Sequence, residues 1–307
     1  VTDANGCVKS DQAQVRVSAV PVANAGSDQN ICFGQATSLF ASGLGDYTWT
    51  PGNINTANYN VSPGVTTTYT VRVVNTDGCE DSDQVTVQVN PIPNSNFATS
   101  GPVCQHSNVD FTDMSGIGAG AITSWEWDMG NGTLSTTQNP SLAFHAAGTY
   151  NVSLIVSSDY GCKDTSTKLL RIWAEPVASF GNTNVCEGVP IQFSNTSTIS
   201  DATPLNYAWS LGDGAVSANA SPAHLYGGYG SYQATLNVTS ANGCTNSISR
   251  AVNVFALPTA DFAVDAACED SPAQFNDLST IPDGNVSSWL WTFGDGNIGT
   301  LPSPSHT

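Results

Sequence analysis

Positive charge is scarce in this chain. Seven Lys and Arg face 25 Asp and Glu across 307 residues, a formal net charge of −18. The seven (Lys9, Arg16, Arg72, Lys163, Lys168, Arg171 and Arg250) are scattered. No basic patch exists to neutralise phosphates, which excludes nucleic acid as a partner. The same negative field repels anionic membrane surfaces and favours solubility and cations. Charged residues of all kinds are only 10% of the chain, well below the usual quarter or so. Apolar runs are short; none approaches the 18 or more residues of a membrane-spanning helix. No signal peptide opens the sequence. Apolar residues spaced for a helix face are missing too. The four histidines, His106, His145, His224 and His306, belong to no hydrolase or zinc-protease motif, and no phosphate-binding loop or paired Cys-x-x-Cys occurs. No catalytic activity is therefore expected.

What is present repeats. Residues 125–132 read WEWDMGNG, 207–214 read YAWSLGDG and 289–296 read WLWTFGDG. Trp127, Trp209 and Trp291 stand 82 residues apart. A fixed long period marks a domain array. The eight cysteines keep the same clock. Cys104, Cys186 and Cys268 are spaced by 82, as are Cys162 and Cys244; Cys32 and Cys7 precede their next counterparts, Cys104 and Cys79, by 72. They form two classes. Cys32, Cys104, Cys186 and Cys268 follow an entry strand, as in PVASFGNTNVC; Cys7, Cys79, Cys162 and Cys244 follow a glycine, as in NTDGC.

Between these marks, TYTVRVVNT (68–76), TYNVSLIVSS (149–158) and SYQATLNVTS (231–240) alternate apolar and polar residues. They are rich in Val, Thr and Tyr, as half-buried strands are. Each ends at a Gly-containing turn, and each following strand is closed by a proline that cannot continue a ladder. Several short strands per repeat with turn signals between them predict an all-β tandem array of antiparallel sandwiches. The expected parts are a C-terminal remnant at 1–20, a short unit at 21–92, whole units at 93–175 and 176–258, and the first part of another at 259–307.

The motif Trp-x-(Phe/Leu/Met)-Gly-Asp-Gly, with Pro-x-His and Gly-(Thr/Ser)-Tyr-x-(Val/Ala)-x-Leu-x-Val after it, resembles the PKD domain, an immunoglobulin-like sandwich. NPSLAFHAAGTYNVSLIV (139–156) and SPAHLYGGYGSYQATLNV (221–238) carry its second half. Unit 21–92 is a shorter variant, with YTWTPGN in the motif's place. The added cysteines resemble the PKD arrays of Bacteroidetes surface adhesins and filaments exported by the type IX system. That resemblance implies a secreted, cell-surface role and covers essentially the whole chain. It is specific for fold and weak for function, because sandwiches host many roles.

The motif aspartates, Asp213 and Asp295, share their slot with Asn131 and, in the short unit, Asn53. Chemistry that needs a carboxylate would not tolerate Asn; a turn would, because both residues accept left-handed conformations and bond their own backbone. Turn residues are therefore expected, with calcium the competing reading and no other cofactor. His224 and His306 fall in the Pro-x-His slot, where unit 93–175 has Leu142, so packing is expected of them. Trp49, Trp127, Trp209 and Trp291 are expected in the cores. Trp125, Tyr207 and Trp289, two residues earlier, share their face; a sugar-stacking platform is the alternative.

One cysteine of each class per unit in a secreted-type composition points to disulfides. Cysteines at zinc-ligand spacing are not found. In an immunoglobulin-like sandwich the first strand runs from pole to pole. The entry-strand cysteines then sit at the far pole and the Gly-Cys cysteines at the near one. Strands of about eight residues span roughly 26 Å, whereas bridged Cα atoms lie within about 7 Å. Pairing between neighbours follows: Cys32 with Cys162 and Cys104 with Cys244. Cys7 and Cys79 would pair upstream, and Cys186 and Cys268 downstream, in an array that continues past both ends. The function expected is a stiffened, load-carrying spacer in an extracellular filament or adhesin, with neighbouring domains, other copies of the chain, surface glycans or other cells as partners. The alternatives are a carbohydrate-binding accessory region of a secreted hydrolase and a calcium-stiffened linker.

Overall fold

The computed structural model describes residues 1–101 and 103–307. Among them there is no helix, and the architecture is all-β: tandem immunoglobulin-like sandwiches. By its contacts the chain divides into two compact units. One comprises Val1–Ser100, Asp110–Ser141 and Tyr150–Leu170, the other Gly101–Val109, Leu142–Thr149 and Arg171–Thr307.

In the first unit, a sheet runs in the order Gln29–Cys32, Glu80–Asn90, Thr67–Val74, Asp46–Thr50. A second sheet pairs Thr37–Phe40 with Asn58–Val61. The alternation read from sequence is what the strands use. Tyr69, Val71 and Val73 are buried while Arg72 between them is exposed. Trp49, opposite Val71, closes a core of Leu39, Val61, Tyr69, Val71, Val73, Val85 and Val87. The Ile122–Asp128 strand of the same unit sets Trp127 opposite Leu154. Residues 1–20 contribute little: one bridge, Thr2 with Val8, and side chains that are nearly all exposed.

In the second unit, the order is Val185–Cys186, Thr245–Phe255, Gly230–Ser240, Leu205–Ser210, Val216–Ser217. Facing it, Ile191–Gln192 pairs with Ala223–His224. Phe180, Phe193, Trp209, Leu211, Tyr226, Leu236, Val238, Val252 and Val254 fill the space between. The last segment holds only short strands, Phe262–Val264, Ala273–Asp277, Trp291–Thr292, Ile298–Gly299 and Ser305–His306.

Not every pairing is antiparallel. Ile31 and Cys32 pair in parallel with Val89 and Asn90, Val103 and Cys104 with Ile172 and Trp173, Val185 and Cys186 with Val254 and Phe255. The entry segment crosses from one sheet to the edge of the other and lies beside the last strand. That crossing ends each time at an entry-strand cysteine.

Candidate functional site: the cysteine joints and the Gly-Asx-Gly turn

The entry-strand cysteines share one backbone setting. The residue after three of the four donates to the last strand: Phe33 N to Asn90 O, Gln105 N to Trp173 O and Glu187 N to Phe255 O, each at 2.9 Å. A tight turn follows, closed by Gln35, Ser107, Val189 and Ser271 amides on the carbonyls of Cys32, Cys104, Cys186 and Cys268.

The Gly-Cys class shares another setting. Gly6, Gly78, Gly161 and Gly243 have φ of 84°, 82°, 77° and 86°, a left-handed conformation that glycine adopts without strain. The turn lets each cysteine amide reach the side chain four residues back: Cys7 to Asp3, Cys79 to Asn75, Cys162 to Ser158 and Cys244 to Ser240.

Cys32 is bonded to Cys162 and Cys104 to Cys244, each with Cα atoms 5.7 Å apart. Cys162 and Cys244 are buried. Cys7, Cys186 and Cys268 are exposed thiols and Cys79 is half-buried. Beside the second bridge, Glu175 Oε1 accepts from Asn246 Nδ2 at 3.0 Å, and its Oε2 lies 3.2 Å from His106 Nδ1. His106 has φ 65° in a slot that Gly34 and Gly188 fill elsewhere. Sequence reasoning missed this contact; the unusual residue in a glycine slot was its signal.

In the Gly-Asx-Gly turns, one carboxyl or amide oxygen bonds the backbone two residues on. Asn131 accepts from Thr133 N at 2.9 Å, Asp213 from Ala215 N and Asp295 from Asn297 N at 3.0 Å. The first glycine is needed for clearance as well as for its φ. A Cβ on Gly130 would stand 2.5 Å from Asn151 O, and on Gly212 2.7 Å from both Gln233 N and O.

The second aspartate oxygen meets a histidine: Asp213 Oδ2 to His224 Nε2 at 2.6 Å, and Asp295 Oδ2 to His306 Nε2 at 2.9 Å. Burial works to raise the Asp213 carboxyl, but the His224 hydrogen bond and the Ala215 amide outweigh it and hold the pKa below the usual carboxylate range. For Asp295 the Asn297 amide and side chain come first, with His306 behind them, and the pKa is lowered to about 2. Sequence reasoning gave these histidines to packing alone. The missed signal was co-occurrence: Asp comes with His in two repeats, and Asn131 comes with Leu142 in the other.

Trp49, Trp127 and Trp209 are buried at 0%, 1% and 2% exposure. Each indole nitrogen donates to a carbonyl, of Thr56, Thr137 and Asn219. Trp291 does not share their burial. It packs on Phe262 and Phe275 and donates to Leu301 O, but is only half-buried. The core placement expected of it is corrected here. The segment 259–307 has no counterpart of the long Gly230–Ser240 and Thr245–Phe255 strands that cover Trp209.

The aromatic two residues earlier is tied down in the same way. Trp125 Nε1 donates to Asp113 Oδ2 at 2.7 Å and Trp289 Nε1 to Asp277 Oδ2 at 2.8 Å. Tyr207 and Asn195 occupy the same two slots in the other repeat. Trp125, Tyr207 and Trp289 are half-buried, and the N–H groups of the two tryptophans are engaged. Among the described residues no three or more His, Cys, Asp or Glu converge to hold a metal ion. The chemistry the arrangement offers is cross-linking: covalent at the cysteines, through Asp–His hydrogen bonds at the turns.

A family model described as PKD domain matches residues 88–172, 173–256 and 255–307. A pre-pro-metalloprotease PrtV of Vibrio cholerae is 28% identical over 131 residues, which are 42% of this chain and 14% of that protein. The chain thus spans about a seventh of that relative's length. Among solved structures, the PKD1 domain of Vibrio anguillarum Epp is 32% identical, with TM-score 0.26, over 27% of this chain and 95% of that one. The PKD1 domain of the Vibrio cholerae metalloprotease PrtV is 31% identical, with TM-score 0.25, over 26% and 96%.

Proposed function

We propose, for a chain that belongs to the PKD domain family, that its sandwiches form a spacer segment of a long extracellular surface filament or adhesin. The observation that carries this reading is the direction of the bridges. Cys32–Cys162 and Cys104–Cys244 each leave one repeat and enter the next, so tension passes along the array through covalent bonds. Disulfides persist in oxidising compartments, which fits a secreted or surface location. Cys79 and Cys186 sit in the same two turn settings as the bonded cysteines; in this reading each serves a joint of the same kind with a further repeat. The cysteine-bearing repeats are the ground for assigning export to the type IX route and neighbouring repeats of the same polypeptide as principal partners. Catalysis has no place in it, because the Gly-Asx-Gly carboxylates are engaged by turn amides and histidines.

Screening the purified chain against peptide, glycoside and ester substrates and a glycan panel tests the reading. Neither turnover nor glycan retention is expected. Turnover that disappears in an Asp213→Asn, Asp295→Asn variant would make the chain an enzyme and overturn the spacer.

A further inference from the structure

Two aspartate–histidine pairs bridge between sheets, not along one. Asp213 lies on the turn between Leu205–Ser210 and Val216–Ser217, in the five-stranded sheet. His224 belongs to the facing two-stranded sheet, opposite Ile191. The last segment repeats the design. Asp295 turns between Trp291–Thr292 and Ile298–Gly299, while His306 lies opposite Ala273 in a different sheet.

The first pair is shielded on both sides, whereas in the second His306 is 24% and Asp295 46% exposed. The side chains of Asp213 and His224 are 22% and 19% exposed. The His224 ring meets the edge of Tyr226 at 4.6 Å, and His306 stacks on Phe293 at 4.2 Å. Tyr226 in turn stacks on Tyr232 at 4.1 Å and donates its hydroxyl to Leu211 O. Shielding from solvent strengthens a charged contact relative to one in water.

We infer that Asp213–His224 and Asp295–His306 are acid-sensitive clasps that hold the two sheets of a sandwich together at one pole. Repeat 93–175, with Asn131 and Leu142 in these slots, has no ionisable pair there and does not share the sensitivity.

The direction follows from proton linkage. A carboxyl whose folded-state pKa lies below its unfolded value stabilises the fold fully above the unfolded value. It loses that contribution as the pH falls through the folded one. The groups facing Asp213 are His224 and Tyr226, with Tyr232 behind; those facing Asp295 are Asn297 and His306. Burial first, then the Asp213 charge and Tyr232, push the Tyr226 hydroxyl up to about 12, so it stays a neutral donor while the clasp titrates. At the second clasp the Asn297 amide and side chain share the Asp295 carboxyl with His306.

Side-chain carboxyl NMR of the full chain, wild type and His224→Leu, tests this. The Asp213 titration midpoint is expected to move up in the variant, with that of Asp295 unmoved as the internal control. Unfolding followed in parallel is expected to show wild type more stable than Asp213→Asn/His224→Leu near neutral pH, with the gap closing in acid. Should the leucine variant not fold, His224→Gln keeps a donor without the ring and takes its place. An Asp213 midpoint unchanged by removal of His224, or a stability gap independent of pH, would overturn the clasp.

Discussion

Pulled from its ends as a single molecule, the oxidised chain is expected to reach only about half the length of the reduced one. The bridges interlock in sequence: Cys32, Cys104, Cys162, Cys244, joined first to third and second to fourth. The taut path runs from Val1 to Cys32, across to Cys162, back along the chain to Cys104, across to Cys244 and on to Thr307. At about 3.5 Å per residue that is roughly 530 Å, against roughly 1070 Å once both bonds are cut. Interlocking also makes the effect non-additive. Losing Cys32–Cys162 alone, as in Cys32→Ser, lengthens the path by only about 50 Å, and losing Cys104–Cys244 alone by about 85 Å, whereas losing both releases about 540 Å. Bridges confined within repeats would behave otherwise, each releasing its own loop in full. Force–extension curves of wild type, the two single variants and the double variant separate the cases. Equal, additive releases would contradict the interlocked array.

Trp209→Ala is expected to destabilise its sandwich by about 3–5 kcal/mol, the range for large core aromatics. The indole is 2% exposed, with Phe180 at 4.9 Å and Phe193 at 5.3 Å between ring centroids. The Phe180 contact is edge-to-face and the Phe193 contact tilted, and aromatic pairs of this kind contribute beyond the area they bury. Truncation also takes the N–H away from the Asn219 carbonyl, 2.9 Å distant. Trp291→Ala, at the same motif position but half-buried, is expected to cost clearly less. Chemical denaturation of the two variants under identical conditions measures the difference. A loss near zero for Trp209 would put that ring on the surface.

The features legible from residue order are those with a fixed period. The alternation in TYTVRVVNT became the Thr67–Val74 strand with Tyr69, Val71 and Val73 inside, because a strand presents every second residue to one face. The Asn- and Asp-Gly signals became turns because only a residue free of Cβ strain closes them at positive φ. Contacts set by how strands cross were not legible. Nothing in the local pattern says that Gln29–Cys32 lies parallel to Glu80–Asn90. That Asp213 would reach His224 depends on two sheets converging at one pole. Glu175, His106 and Asn246 lie 69 to 71 residues apart in their contacts, beyond the reach of any periodic reading. Trp291 read like its three counterparts because motif identity reports a slot, whereas burial depends on which strands cover it.

Non-reducing peptide mapping of the purified chain tests most directly whether neighbouring repeats are joined covalently. Cross-linked peptides containing Cys32 with Cys162, and Cys104 with Cys244, are the expected result. Linked peptides pairing Cys104 with Cys162, or Cys186 with Cys244, would show bonds that stay within single repeats and would contradict a covalent path along the array.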